Sequence, residues 1–179
     1  MLRLILALTL CLSANAADVL RVRATRDTTG HGWCVAVAPD CVLTAAHILH
    51  DGKGARDAEV EIGGKWFKAT LKKCSRENDL ALLKVEGAAM RHAVMSETLK
   101  LSLIGSPGLN EVKIRPVSVE SVSIKVEYGK SANGMSGSPV FDASGALYGI
   151  FTHQLSEDSN AIGGGGEVVP AEVIKAFLK

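Results

Sequence analysis

Short β-favouring runs, broken at fairly regular intervals by glycine and proline turns, most narrow what this chain can become. Residues 19–24 alternate loosely between apolar and polar. Segments 33–38 and 41–44 flank Pro39-Asp40, and segments 59–62 and 65–71 flank Gly63-Gly64, a strong hairpin signal. A run at 80–85 follows, then a looser stretch over 86–98, then runs at 99–104, 111–119, 121–128, 139–141 and 146–152. Only the tail, 170–179, has helical spacing: Pro170 takes a tolerated first-turn position, and Val173, Ile174 and Phe177 share one face. Many short strands and turns with one terminal helix predict an all-β barrel or sandwich. There is no internal repeat, and the one low-complexity tract is Gly163 to Gly166.

The first residues read as an export signal rather than as part of the fold. Arg3 gives a positive start, 4–12 is almost wholly apolar, and Ala14-Asn15-Ala16 offers small residues at a cleavage site after Ala16. The apolar run is far shorter than the roughly 20 residues needed to span a bilayer, and no later segment is apolar enough to do so. Residues 1–16 are therefore expected to be a signal peptide and the protein to be secreted or periplasmic. The chain has 20 basic and 19 acidic residues; Arg3 lies in the leader, so what remains is formally neutral. That balance does not point to nucleic acid or a membrane surface as a partner, and neither is expected.

Cysteine usage leaves alternatives open. Export permits disulfides, but Cys34, Cys41 and Cys74 are an odd number after processing. Across a Pro39-Asp40 hairpin, Cys34 and Cys41 lie roughly three residues out of register, about 10 Å apart, against the ~7 Å that a bridge allows. Cys74 could pair with either, or all three could be buried thiols. A zinc site of Cys34, Cys41, His47 and His50 fails on spacing, and no metal or cofactor is expected. His31, His50 and His92 read as surface or loop residues.

Three segments carry residue types that acyl-transfer chemistry needs together. Thr44-Ala45-Ala46-His47 ends an apolar strand, and Asn78-Asp79-Leu80-Ala81-Leu82-Leu83 places a carboxylate before one. Gly134-Met135-Ser136-Gly137-Ser138-Pro139 sets a serine between glycines. A serine hydroxyl is a weak nucleophile, so a base must take its proton and a carboxylate must hold that base's tautomer. The flanking glycines let the Gly134 and Ser136 amides converge on one developing oxyanion.

In that order, these motifs resemble the chymotrypsin-like serine peptidases, in particular their small bacterial and viral members and the glutamyl endopeptidase-like enzymes. The resemblance covers essentially all of the mature chain. It implies two six-stranded antiparallel β-barrels packed face to face with a short C-terminal helix. Residues 17–92 would carry His47 and Asp79, and 93–179 would carry Ser136. It implies His47 as general base and then acid, Asp79 as its orienting partner, Ser136 as nucleophile, and the Gly134 and Ser136 amides as oxyanion hole. The expected activity is that of a monomeric serine endopeptidase acting on proteins or peptides. A catalytically silent binding module on the same fold is the alternative. No second domain such as a PDZ module is expected after this unit.

By the same resemblance, Lys130 lies at the base of the primary substrate pocket. Ser131, Phe151 and Thr152 form its walls, and His153 and Gln154 lie just beyond. A lysine there would favour acidic substrate residues, or, if it turns outward to water, leave Phe151 to select apolar ones. Gly163 to Gly166 reads either as the pocket rim or as a flexible turn. Three departures from the digestive enzymes stand out. There is no Ile-Val-Gly-Gly start, Met135 replaces the aspartate that would receive a new amino terminus, and Ser138 replaces a second glycine. Activation through such a terminal ion pair is therefore not expected.

Overall fold

The computed structural model describes residues 16–25, 30–49, 57–97, 103–105, 113–119, 124–128, 134–154 and 164–179. In the first half, β1 (Val19–Ala24), β2 (His31–Ala38), β3 (Cys41–Ala45), β4 (Ala58–Ile62), β5 (Lys65–Ser75) and β6 (Leu80–Val85) form a closed antiparallel barrel in the order β1-β2-β3-β6-β5-β4. Both predicted hairpins form, with Pro39-Asp40 turning β2 into β3 and Gly63-Gly64 turning β4 into β5. The short 3-10 helix η1 (Ala46–Leu49) follows β3 directly.

The apolar pattern of these strands shows what each face meets. In β2, β3 and β6, neighbouring residues serve two different cores. Cys34, Ala36, Val42, Ala81 and Leu83 point into the barrel. Val35, Leu43 and Leu80 instead join a second cluster with Ala93, Leu147, Ile150, Val169, Ile174 and Phe177. Burial on both faces explains why these strands read as continuous apolar runs. Burying each such Leu or Ile side chain is worth about 1.5–3 kcal/mol relative to exposure. β5 keeps a solvent face, and its sequence carries lysines at 65, 68, 72 and 73.

The remaining strands are β7 (Leu103–Gly105), β8 (Lys113–Val119), β9 (Ile124–Tyr128), β10 (Pro139–Asp142), β11 (Leu147–Gln154) and β12 (Gly164–Pro170). They are hydrogen-bonded in the order β10-β11-β12-β9-β8-β7, and β7 also pairs with β10. The helix α1 (Ala171–Leu178) follows, with Ala171, Ile174 and Phe177 buried. Pro170 is its N-cap, one position earlier than the sequence suggests. The chain is thus all-β with a closed six-stranded barrel and a short C-terminal helix. β12 corrects the turn reading of the glycine tract: Gly164, Gly165 and Gly166 sit in a strand paired with β9, while Gly163 falls outside the described residues.

The stretch from 86 to 97, loose by sequence, is stitched to both halves. Met90 and Ala93 donate backbone hydrogen bonds to Pro39 and Ala36 at 2.8 Å each. Further on, the Leu147 amide donates to Val94 at 2.7 Å and the Ser96 amide to Leu147 at 2.8 Å. The Ser96 hydroxyl donates to Asp142 at 2.7 Å, and Lys175 of α1 donates to the Ser96 carbonyl at 2.9 Å. No disulfide links Cys34, Cys41 and Cys74 to one another. Cys34 is fully buried, and burial pushes its thiol well above the usual range.

Candidate active site

The register of two strands places the first pair of side chains. β3 and β6 run antiparallel with Ala45 opposite Leu80. The residue just past the end of β3 and the one just before β6 therefore meet at the same rim. The Ala46 amide donates to the Asp79 carbonyl at 3.0 Å, closing that corner. His47 stands on η1, whose Ala46, Ile48 and Leu49 are buried while the imidazole stays accessible. Asp79 adopts a left-handed backbone, φ 49°, at the end of the 76–79 turn. That uncommon conformation for a residue with a Cβ aims the carboxylate back at His47.

Both carboxylate oxygens of Asp79 are used. Oδ1 accepts the backbone amide of His47 at 2.8 Å. Oδ2 lies 2.7 Å from His47 Nδ1. At the far edge of the ring, His47 Nε2 is 2.8 Å from Ser136 Oγ. The three residues singled out by sequence motifs thus form one continuous chain of contacts, with the imidazole in the middle. Asp79 is the buried member, whereas the His47 side chain is 41% exposed.

Ser136 comes from the other set of strands, in the turn before β10. Its carbonyl accepts the Trp33 amide of β2 at 2.9 Å. Next to it, the Gly137 amide donates to Phe151 at 2.8 Å, and Phe151 donates back to Ser138 at 2.9 Å. Gly137 has φ 78°, and a Cβ there would run into the Trp33 carbonyl and the Thr44 hydroxyl. Only glycine fits that close approach. Gly134 also has a positive φ, 88°. Among the described residues, neither the Gly134 nor the Ser136 amide donates to a backbone carbonyl.

Other expected site residues fall differently. Lys130 and Ser131 lie outside the described residues, as does His50. Phe151 and Thr152 are buried on β11, and the Phe151 ring abuts Gly166 of β12. His153 is not simply a residue beyond the pocket. Its Nδ1 lies 3.6 Å from Asp79 Oδ2, and its ring centroid is 5.4 Å from that of His47. One ligand-type atom from each of His47, Asp79 and His153 falls within 4.8 Å of the other two. No local pattern in the residues announces this approach, which is a contact between β11 and the turn before β6. His31 and His92 are exposed, as expected.

Comparison with known proteins bears on the family and the fold. Residues 30–150 match the family described as trypsin-like peptidase domain. No curated protein sequence matches the chain. Among solved structures, the chain resembles the active form of Rv3671c protease from M. tuberculosis, with TM-score 0.72 and 21% identity over 92% of this chain and 81% of that one. It also resembles the inactive form of that protease, with TM-score 0.69 and 20% identity over 93% and 90% of the two chains. A third similar structure is the HtrA-type protease AlgW with a tripeptide, TM-score 0.70 and 21% identity, covering 92% of this chain but 60% of that one.

The chain belongs to the trypsin-like peptidase family. Membership makes it a serine endopeptidase, an enzyme that hydrolyses peptide bonds.

Proposed function

We propose that the protein is an exported endopeptidase in which Ser136 is the nucleophile, His47 the general base and then acid, and Asp79 the residue that orients His47. The observation that carries this reading is the imidazole bridging Asp79 Oδ2 at 2.7 Å and Ser136 Oγ at 2.8 Å. With Nδ1–H committed to the carboxylate, Nε2 presents its lone pair to the serine hydroxyl. Ser136 attacks the scissile carbonyl as its proton passes to Nε2. The resulting imidazolium, stabilised by Asp79, then protonates the departing amine. Water repeats the sequence on the acyl-enzyme. The Gly134 and Ser136 amides would receive the oxyanion, a use consistent with their lack of a carbonyl partner among the described residues.

The finer architecture belongs to the same proposal. Residues 1–16 act as a signal peptide removed after Ala16, and the mature protein works as a monomer outside the cytoplasm. Residues 17–92 and 93–179 each make a six-stranded barrel, packed face to face. Supporting this, β7 pairs with β10 at the ends of the second strand order, and one apolar cluster draws on both sets of strands. Lys130, Ser131, Phe151, Thr152 and His153 border the substrate.

A mixed peptide library incubated with the mature protein tests the reading. We expect cleavage after acidic or apolar residues, and none by Ser136→Ala. Absence of cleavage by either protein would favour the silent binding module. Dominant cutting after Arg or Lys would overturn the pocket assignment.

A further inference from the structure

His153 is the group at this site that the hydrolytic mechanism does not use. It is 57% exposed at the side chain, yet its Nδ1 faces the same Asp79 oxygen that His47 Nδ1 faces. Two imidazoles and a carboxylate converging from three different segments form a donor set for a borderline transition metal. Zinc favours nitrogen and carboxylate ligands, commonly three from the protein plus one water, whereas Mg²⁺ and Ca²⁺ prefer all-oxygen surroundings.

We propose that His47, Asp79 and His153 form an inhibitory Zn²⁺ site on this enzyme. Bonds of about 2.0–2.1 Å in a tetrahedron separate ligand atoms by roughly 3.3 Å. The contacts to Asp79 Oδ2 already bracket that spacing, at 2.7 Å from His47 and 3.6 Å from His153. The exposed His153 side chain has room to swing inward, and its exposure together with that of His47 leaves the fourth position open to water. The cation would take the place of the proton on His47 Nδ1, and by exchange through solvent that proton would pass to Nε2, so the ring stays neutral and changes tautomer.

The chemical consequence follows from imidazole having two nitrogens. With Nδ1 bound to metal, the neutral ring carries its remaining proton on Nε2. Nε2 then donates towards Ser136 Oγ instead of accepting its proton, and the serine has no base. Asp79 is at the same time withdrawn from orienting the ring. The inhibitory half of this inference rests on His47 being the base proposed above; the binding half does not.

The two halves are separable by experiment. In Ser136→Ala protein, which keeps all three ligands, titration with ZnCl₂ by calorimetry should show a site that Mg²⁺ does not occupy. Adding His153→Ala, or His153→Gln as a milder second change, should weaken that site at least about 10-fold. In wild-type protein, Zn²⁺ should stop hydrolysis and EDTA should restore it. The half-inhibitory concentration should rise by a similar factor in either His153 variant, scored against that variant's own metal-free rate. Unchanged zinc affinity in both His153 variants, or hydrolysis indifferent to zinc, would overturn the proposal. Zinc binding in a protein that hydrolyses nothing would instead count against the peptidase mechanism, with the metal site upheld.

Discussion

His47 and Asp79 are fixed within a single barrel, while Ser136 reaches them from a different set of strands. The first pair is set by the β3–β6 ladder, with the Ala46 and His47 amides both bonded to Asp79. Ser136 depends on a seam: the Trp33 amide on its carbonyl, the Gly137–Phe151 pairing beside it, and the mixed cluster beneath. The difference teaches that orienting His47 and placing Ser136 are separate structural problems in this molecule. The first can survive damage that destroys the second.

The sharpest way to break that comparison is at Gly137. Gly137→Ala adds a methyl group against the Trp33 carbonyl and the Thr44 hydroxyl, at a φ that disfavours any Cβ. Moving the serine by even about 1 Å can cost ~10²-fold. We expect kcat/KM to fall by at least about 10²-fold, while the NMR signal of the His47 Nδ1 proton shared with Asp79 persists. Loss of that signal together with activity would show that the two alignments are not separable.

A smaller effect is expected at Asp142, which ties the linking stretch to β10. Burial alone pushes its carboxyl up, but hydrogen bonds from the Ser144 and Ser96 side chains and the Ser144 and Ala146 amides outweigh this and hold it well below the usual range. A depressed folded-state value means stability that is fully present above the unfolded carboxyl's pKa of about 3.9 and lost as pH falls further. Asp142→Asn should therefore cost about 1–3 kcal/mol near neutrality. Urea unfolding should show the gap to wild type shrinking below about pH 4. A gap that stays constant to pH 2.5 would mean that the carboxylate charge is not what ties this corner.

Much of this was legible in the residues themselves. Strands β1 and β6 have the bounds that the apolar runs indicate, because polar residues flank them directly, Asp18 and Thr25 around β1 and Asp79 and Glu86 around β6. The three motif residues could be picked out because each sits at a strand end beside small or apolar neighbours, and the structure brings them together. Features held by tertiary contact were not legible. β12 begins with three glycines, poor strand formers, and is a strand because β9 and β11 pair with it. The helix η1 is too short to show a period. The approach of His153 to Asp79 joins residues 74 positions apart, and no side-chain pattern announces it.

The account stands or falls on Ser136 being an activated nucleophile. Treating the folded mature protein with a fluorophosphonate probe, followed by peptide mapping, tests this most directly. One adduct is predicted, on Ser136, absent after denaturation and absent from His47→Ala protein. No adduct on the native protein, or an adduct on another serine, would contradict the account.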